Sequence, residues 1–311
     1  MRSLWRNPLA DGHAPTLDAV MVLDASVVRT ALHEQNIGVR RVASVSGGRG
    51  GSNFRVDTSA GPLMVKVRED RRPLLVAKTA ASILGLRGVP HPTVVVTPTP
   101  VAEGWLMAHR WIDGTSLDAV GLADWDDARA SRLGVDLGDW LRRLHAVQHR
   151  RGCWPLTARR RYTDKLRRCL ERGIIDTDLA ETVRRRWTAD GAVLDDVTPT
   201  LIHRDLQPGN IVVRDGRLAA VIDFEHARIA DPLYDLVKLS EWVFPLHPAI
   251  APALNEAYGL DRASVGVRAR LRVVSMLEHL SALVYFAKHR DMAMVDSQRD
   301  LLARVAEEAG G

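Results

Sequence analysis

The alternation of hydrophobic and polar positions divides the chain into a mostly β first third and a mostly helical remainder. Apolar and polar residues alternate as in strands over much of residues 37–67, where two glycine-containing turns interrupt the pattern. Residues 74–87 instead predict a helix. Two prolines then break the structure, and two further strand patterns lead to a turn at Asp113–Gly114.

Beyond residue 114 the apolar positions recur at helical intervals, over residues 126–148, 160–188 and 267–287. The exception is the segment 201–240, in which "TLIH", "NIVV" and "LAAVIDF" read as short strands and Asp215-Gly216 indicates a hairpin turn. The pattern therefore predicts an α+β protein of two lobes, one β-rich and one helical. We place the boundaries at residues 1–108, a hinge at 109–113, and residues 114–311.

Composition narrows the class of protein without identifying it. The chain has 311 residues, 46% of them hydrophobic and 26% charged, as in globular proteins that live in water. No apolar run reaches the roughly 18 residues needed to cross a bilayer, and the first residues lack the apolar core of a signal peptide. We therefore expect a cytoplasmic monomer or homodimer without a membrane partner, in which Cys153 and Cys169 are ordinary reduced thiols.

The net charge of +5 is unevenly distributed, because arginines cluster within residues 142–188. Such a cluster can bind nucleic acid. Here aromatic residues do not interleave with the arginines in a repeating way, and the arginines spread around helical faces. We therefore interpret the cluster as a solvated helical surface and expect no nucleic-acid partner.

Polar side chains at the ends of the short strands carry the candidate chemistry. Asp205 and Asn210 lie five residues apart in "HRDLQPGN", and Asp223 follows on the next hairpin strand. Two carboxylates and an amide oxygen converging from neighbouring strand ends form a hard-oxygen site suited to Mg²⁺. Because Mg²⁺ prefers one or two carboxylates together with substrate phosphates, one of the two aspartates can serve as a base. The spacing therefore predicts phosphoryl transfer.

The segment "HRDLQPGN…VIDFEHARIADPLYDL" resembles the aminoglycoside phosphotransferase and choline kinase-like family, which has the protein-kinase fold. "LHAV" at 144–147 and "GVPHP" at 88–92 are also typical of that family. The resemblance covers roughly residues 37–290. It implies that Asp205 accepts the proton of an acceptor hydroxyl, and that Asn210 and Asp223 hold the Mg²⁺ ions that bridge the ATP phosphates.

The resemblance also implies that the β-rich lobe binds the nucleotide, ATP or alternatively GTP. Lys66 would pair with the α- and β-phosphates, and the backbone of Ala108, His109 and Arg110 would face the adenine as the hinge. A glycine-rich turn between two strands would lie against the phosphates, although an ordinary hairpin turn also explains its glycines. The residues of this turn are Ser46, Gly47, Gly48, Gly50, Gly51 and Ser52.

Two positions depart from the family pattern. The helix after the lysine strand normally supplies a glutamate that pairs with the lysine, but here the expected position falls on Ala77 or Lys78. Either Glu69 replaces that glutamate or the ion pair is absent. The second departure is Arg204, which stands where small-molecule kinases commonly have glycine and makes the loop similar to that of protein kinases.

These observations favour a small-molecule O-phosphotransferase over two alternatives. A protein kinase is disfavoured because the metal motif is Asp-Phe-Glu and because "DPLYDL" follows too soon for an activation segment. A catalytically inactive nucleotide-binding scaffold is disfavoured because every catalytic position is filled. Among small molecules we favour an antibiotic acceptor, with a choline, sugar, homoserine or fructosamine kinase as the alternative.

The sequence says least about which residues bind the acceptor. The arginine-rich insert at 150–186 would repel a polycation and suit a neutral or acidic acceptor, whereas Glu241 and other acidic residues lie further along the chain. Trp154 and Trp187 could form flat apolar walls. Our candidates for acceptor binding are Glu225, Asp231, Trp242 and Glu278.

Overall fold

The structure is a computed structural model that describes residues 25–45, 51–102, 104–149 and 154–308. The first lobe is built on one antiparallel sheet with the strand order β1-β2-β3-β5-β4. Its strands are β1 (Val39–Ser44), β2 (Ser52–Thr58), β3 (Gly61–Arg68), β4 (Val94–Val101) and β5 (Gly104–Arg110). The pattern over residues 37–67 therefore corresponds to real strands, and the sheet ends two residues beyond the expected lobe boundary.

Two helices cover this sheet. Helix α1 (Ala25–Glu34) buries Val28 and Leu32 against the strands and was not anticipated from the sequence. Helix α2 (Arg71–Leu86) begins after Asp70, whose side chain accepts a hydrogen bond from the backbone N–H of Arg72 as an N-cap. The buried face of α2 joins the hydrophobic core of the second lobe, so this helix connects the two lobes.

The second lobe contains seven α-helices among the described residues. They are α3 (Asp127–His145), α4 (Trp154–Glu171), α5 (Thr177–Asp190), α6 (Leu233–Trp242), α7 (Ile250–Tyr258), α8 (Val265–Lys288) and α9 (Met292–Glu307). The helical pattern over 160–188 is divided between α4 and α5 by a break at Gly173, whose φ of 63° lies in the left-handed region. None of the described helices is both long and apolar enough to cross a bilayer. The predicted α+β architecture of two lobes is confirmed.

Short strands interrupt the helices and carry the polar loop. They are β6 (Thr115–Ser116), β7 (Thr200–Ile202), β8 (Ile211–Arg214), β9 (Arg217–Val221) and β10 (Arg228–Ala230). Asp215 and Gly216 have φ values of 53° and 76°, as a two-residue hairpin turn with two positive φ angles requires. The three strand patterns predicted within 201–240 correspond to β7, β8 and β9. Strand β7 pairs with β10, and β8 pairs with β9 and β6. Two separate ladders therefore hold the ends of the loop 203–210.

Helices α3 and α7 approach closely because α3 has glycine at the contact. A Cβ atom added to Gly138 would lie 2.7 Å from the carbonyl oxygen of Leu254 and 2.9 Å from Cβ of Ala257. Both neighbours belong to α7 and cannot move independently of its backbone. Glycine at this position is therefore a packing requirement.

We expect Gly138→Ala to lower the free energy of unfolding by about 1–3 kcal/mol, the usual cost of overpacking. The control is Gly266→Ala in the first turn of α8, where the nearest atom to an added Cβ is 3.9 Å away. Because alanine favours helix, that variant should be neutral or stabilised by up to about 1 kcal/mol. Chemical denaturation measures both, and equal effects would contradict the close packing of α3 on α7.

Candidate functional site

A buried carboxylate anchors the backbone of the loop 203–210. Asp235 on α6 accepts hydrogen bonds from the backbone N–H groups of His203 at 2.8 Å and Arg204 at 2.6 Å. His145, at the end of α3, contacts the same carboxylate through Nε2 at 3.1 Å. The His203 ring donates from Nε2 to the carbonyl of Ile222 at 2.9 Å. Two helices and a strand end therefore fix the backbone that carries Asp205.

Asp205 and Asn210, five residues apart in sequence, are in direct contact. Nδ2 of Asn210 donates to the backbone carbonyl of Asp205 at 2.8 Å and to its Oδ2 at 3.0 Å. Nε2 of Gln207 donates to the same Oδ2 at 3.3 Å. Because Nδ2 of Asn210 is committed to Asp205, its amide oxygen is left for the cleft that Asn210 lines.

Asp223 follows β9 in a left-handed conformation with φ 68°, which aspartate tolerates better than most residues. Its Oδ1 lies 2.9 Å from Nζ of Lys66 on β3. Burial by itself would raise the pKa of Asp223, but the charge and hydrogen bond of Lys66, together with the charge of Arg68, outweigh burial and lower this pKa to about 2. Asp223 is therefore an anion at any physiological pH, and it faces the predicted nucleotide lysine.

Lys66 also has the glutamate partner that the sequence failed to identify. Oε1 of Glu225 lies 2.8 Å from Nζ of Lys66, and both side chains are buried. The expectation that Glu69 pairs with Lys66, or that no such pair exists, is wrong, because Glu69 is exposed and Glu225 takes this role. Helix α2 packs against the turn Phe224–His226, which brings Glu225 close to the position expected for the helical glutamate.

Arg68 reinforces this connection between the lobes. Its Nε and Nη2 atoms donate to the two carboxylate oxygens of Glu225, each at 2.8 Å. Its Nη2 also donates to the side-chain oxygen of Asn53 on β2 at 3.1 Å. Glu225 is thus committed to two cations of the first lobe, which corrects its assignment to acceptor binding. The sequence held one signal for this contact, because Lys66 and Arg68 are two residues apart on a strand and so share a face on which one carboxylate can meet both.

We expect Glu225→Gln to lower the free energy of unfolding by about 3 kcal/mol, because it leaves the buried Arg68 without its carboxylate and leaves Lys66 with Asp223 alone. The same change at Glu69, which is exposed, should stay within about 0.5 kcal/mol. Urea denaturation of the two variants measures this difference. Equal stabilities would contradict the inter-lobe ion pairs.

Lys66, Asn210 and Asp223 line one cleft of about 1160 Å³ between the lobes. The cleft wall at the end of β5 is formed by His109, Trp111 and Ile112, rather than by Ala108 and Arg110. Of the three residues predicted to face the adenine, only His109 lines the cleft, and Trp111 and Ile112 belong to the segment 109–113 predicted as the hinge.

The pairing of β5 explains why Ala108 and Arg110 do not line the cleft. Ala108 is fully buried and pairs with β3 and β4, and the N–H of Arg110 donates to the carbonyl of Thr93. His109 is directed into the cleft, where its Nδ1 donates to the carbonyl of Arg110 at 3.1 Å. Burial, together with the charge of Lys66, lowers the pKa of His109 to about 4, so its ring is neutral.

The glycine-rich turn lies only partly within the described residues. Ser46, Gly47, Gly48 and Gly50 are outside them. Gly51 has a φ of 144°, and an added Cβ would lie 2.3 Å from the carbonyl oxygen of Val67. Gly51 directly precedes β2, which begins at Ser52, and its backbone lies so close to β3 that only glycine is permitted at residue 51.

The acceptor candidates lie in different environments. Trp242 is half-buried and lines the cleft. Asp231 is fully buried, pairs with Arg270 at 2.8 Å and accepts from the backbone N–H of Leu233, so its assignment to acceptor binding is corrected to a structural role. Glu278 is buried 3.0 Å from Nζ of Lys238, so it is not a free carboxylate that awaits a substrate cation.

The other aromatic candidates pack within the helical lobe. Trp154 is buried and meets Tyr234 edge to face with ring centroids 5.7 Å apart. Trp187 stacks on Tyr162 at 3.9 Å. Several arginines of the basic cluster form helix-surface ion pairs, such as Arg167 with Glu171 at 2.8 Å. These contacts fit the interpretation of the cluster as a helical surface.

Comparison with known proteins places the chain in a family. The sequence model of the phosphotransferase enzyme family matches residues 41–273, most of the chain. The chain belongs to this phosphotransferase family. Both the predicted family and the predicted class of enzyme, a phosphotransferase that acts on alcohol groups of small molecules, are confirmed. No curated protein matches the sequence.

Solved structures of aminoglycoside kinases share the fold of this phosphotransferase. The ADP-bound aminoglycoside phosphotransferase APH(2'')-Ib is 18% identical, with a TM-score of 0.68 over 91% of this chain and 99% of that one. The gentamicin complex of APH(2'')-IIa is 15% identical, with a TM-score of 0.68 over 93% and 97% of the two chains. Spectinomycin phosphotransferase APH(9)-Ia, with ADP and spectinomycin, is 12% identical, with a TM-score of 0.62 over 90% and 97%. At these identities the likeness establishes the two-lobed fold.

Proposed function

We propose that this phosphotransferase transfers the γ-phosphoryl group of ATP or GTP, with Mg²⁺, to a hydroxyl group of a small molecule. The acceptor that we favour is an antibiotic. The observation that carries the proposal is the convergence of Lys66, Asn210 and Asp223 on one cleft, with Asp205 bound to Asn210. These residues come from both lobes and supply the charges that phosphoryl transfer requires.

The side chains present fit Mg²⁺. Asp223 offers a carboxylate that stays ionised, and Asn210 offers an amide oxygen, which are the hard ligands that Mg²⁺ prefers. Among the described residues no group of three His, Cys, Asp or Glu side chains could hold a metal by itself. This suits Mg²⁺, which usually takes few protein ligands and completes its shell with phosphates and water. When bound, the ion neutralises charge on the phosphate oxygens.

Asp205 acts in our proposal as the base for the acceptor. The acceptor oxygen attacks the γ-phosphorus, the bond from phosphorus to the bridging oxygen breaks, and the hydroxyl proton passes to Asp205. Asn210 and Gln207 hold Oδ2 of Asp205 at 3.0 and 3.3 Å, which fixes the carboxylate before the acceptor arrives. Positioning of this kind, rather than covalent chemistry, dominates phosphoryl transfer.

Lys66 binds the phosphates in this proposal, and two carboxylates hold its side chain in position in the absence of nucleotide. Asp223 holds its Nζ at 2.9 Å and Glu225 at 2.8 Å. Binding of the metal–nucleotide complex would draw Asp223 to the metal, while Glu225 would keep Lys66 extended into the cleft. The fold neighbours are reported with either ADP or GDP, and we accordingly propose that both ATP and GTP serve as phosphoryl donors.

The preference for an antibiotic rests on the family and on the fold neighbours, whose names include gentamicin, kanamycin and spectinomycin. A metabolic kinase for choline, a sugar, homoserine or a fructosamine is the alternative. The test is nucleotide consumption with Mg²⁺ and ATP or GTP, measured with and without each member of a panel of antibiotics and metabolites. We expect turnover that depends on an acceptor, and the same basal rate with every compound would contradict the proposal.

A further inference from the structure

A cluster of buried charges adjoins the candidate base. Lys238 lies on α6, one helical turn before Trp242, so the two share a face of that helix. Trp242 lines the cleft. Burial alone would lower the pKa of Lys238, but Glu278 and Glu241 outweigh burial and raise it, and the charge of Asp205 acts in the same direction. Lys238 therefore lies on the helix that carries the cleft residue Trp242, and close enough to Asp205 for the two charges to interact.

The cluster contains as many cations as carboxylates among the described residues. We call it the acceptor corner, and its members are Arg204, Asp205, Arg228, Lys238, Glu241 and Glu278. Nζ of Lys238 lies 3.0 Å from Glu278, and Nη2 of Arg204 lies 3.9 Å from the other oxygen of that carboxylate. Burial would raise the pKa of Glu278, but Lys238 and Arg204 outweigh burial and lower it to about 2.

Three neighbours leave this balance unchanged. His279, which is neutral unless protonated, lies 3.7 Å from Glu241, and Asp231 forms its own pair with Arg270. The carboxylate of Asp235 is committed to the backbone N–H groups of the loop and to His145. Three cations and three carboxylates thus compensate one another. The acceptor corner has no surplus negative charge with which to attract a polycation.

Five buried polar atoms of the acceptor corner have no hydrogen-bond partner. Two are donors, Nε of Arg204 and Nε of Arg228, and three are acceptors, both carboxylate oxygens of Glu241 and Oε2 of Glu278. Buried polar atoms without partners are costly, so they indicate a molecule that binds there. An ammonium group only donates hydrogen bonds and would leave the two arginine N–H groups unmatched. A hydroxyl group both donates and accepts, so it can satisfy both kinds.

Resting on the proposed function, we propose that the acceptor is an uncharged, polyhydroxylated molecule, such as a neutral sugar or glycoside, whose hydroxyl groups bind in the acceptor corner. Lys238 pairs with Glu278, and its charge compensates that of Glu241, so neither carboxylate offers an uncompensated charge to a substrate amine. One acceptor hydroxyl faces Asp205 for transfer, and neighbouring hydroxyls meet the donors and carboxylates of the corner. The enzyme consequently discriminates against polycationic acceptors.

The test compares kcat/KM for kanamycin, a polycation, with that for its fully N-acetylated derivative and a set of uncharged glycosides, at low and high salt. We expect the best uncharged acceptor to exceed kanamycin at least about tenfold, with a KM that changes little with salt. Kanamycin as the better substrate, with a KM that rises with salt, would overturn the inference and leave the phosphotransferase function intact. No acceptor-dependent turnover with any compound would overturn both.

Variants at Lys238 test whether the charge of this residue causes the preference for uncharged acceptors. Lys238→Met leaves Glu278 and Glu241 undercompensated, so the preference for uncharged acceptors should fall by about tenfold or more. Lys238→Arg keeps the charge and should keep the preference. Lys288→Met, which removes the same charge from an exposed helix end, should leave it unchanged. An unchanged preference in folded Lys238→Met, or its loss in Lys238→Arg, would overturn the role of Lys238.

Discussion

Asp205→Asn should lower kcat by at least on the order of 10²-fold, the usual contribution of a general base, while KM for the nucleotide changes little. The substitution keeps the size of the side chain and an accepting oxygen for Nδ2 of Asn210, but it removes the charge that takes the acceptor proton. Asp205 is only partly buried, so the amide should not unfold the loop. A loss confined to kcat identifies an interaction made chiefly in the transition state.

The matched control is Asp215→Asn, the same chemical change at an exposed turn. Asp215 has a φ of 53°, which asparagine tolerates, and it lies at the far end of the β8–β9 hairpin. Steady-state kinetics of this variant should equal those of the wild type. Near-normal turnover by Asp205→Asn would mean that another group accepts the proton.

Asp223→Asn should reduce Mg²⁺-dependent turnover by at least on the order of 10²–10³-fold, because the developing charge on the phosphates loses its compensation. Asparagine is a sharper test than alanine here, since Asp223 has a φ of 68° and asparagine accepts that conformation with less strain. The expected signature is a higher Mg²⁺ concentration for half-maximal rate, measured by Mg²⁺ titration at saturating nucleotide.

The control for Asp223→Asn is thermal unfolding of the same variant without nucleotide. The variant loses its anionic contact to Lys66, but Glu225 still pairs with that lysine at 2.8 Å, so the fold should persist. Asn210→Ala should impair turnover less, because a neutral amide contributes less than a carboxylate. An unchanged Mg²⁺ dependence in Asp223→Asn would place the metal site elsewhere.

The sequence predicted best the features that lie close together along the chain. Asp205 and Asn210 share one short loop, so their spacing alone brings them together, and the structure places them 3.0 Å apart. The turn at Asp215 and Gly216 follows from the conformational preference of those two residues. Local patterning also identified the strands of the first lobe, because alternation has the same period as the pleat.

Contacts between distant segments could not be predicted in the same way. Glu225 is 159 residues from Lys66 and reaches it only because α2 packs against the turn after Asp223. Ala108 and Arg110 were expected to face the adenine but do not line the cleft, because strand length is set by pairing, and pairing with β3 extends β5 to Arg110. Glu278 read as an available carboxylate, whereas the packing of α6 on α8 places Lys238 against it.

The most direct test of phosphotransferase activity follows a label from the γ-phosphate of the nucleotide. Wild-type enzyme with Mg²⁺, labelled ATP or GTP, and an acceptor identified in the panel should place the label on an acceptor hydroxyl, in an amount equal to the nucleoside diphosphate formed. Chelation of Mg²⁺ and Asp205→Asn should each suppress that transfer. Label recovered only as inorganic phosphate, with the acceptor unmodified, would contradict our account.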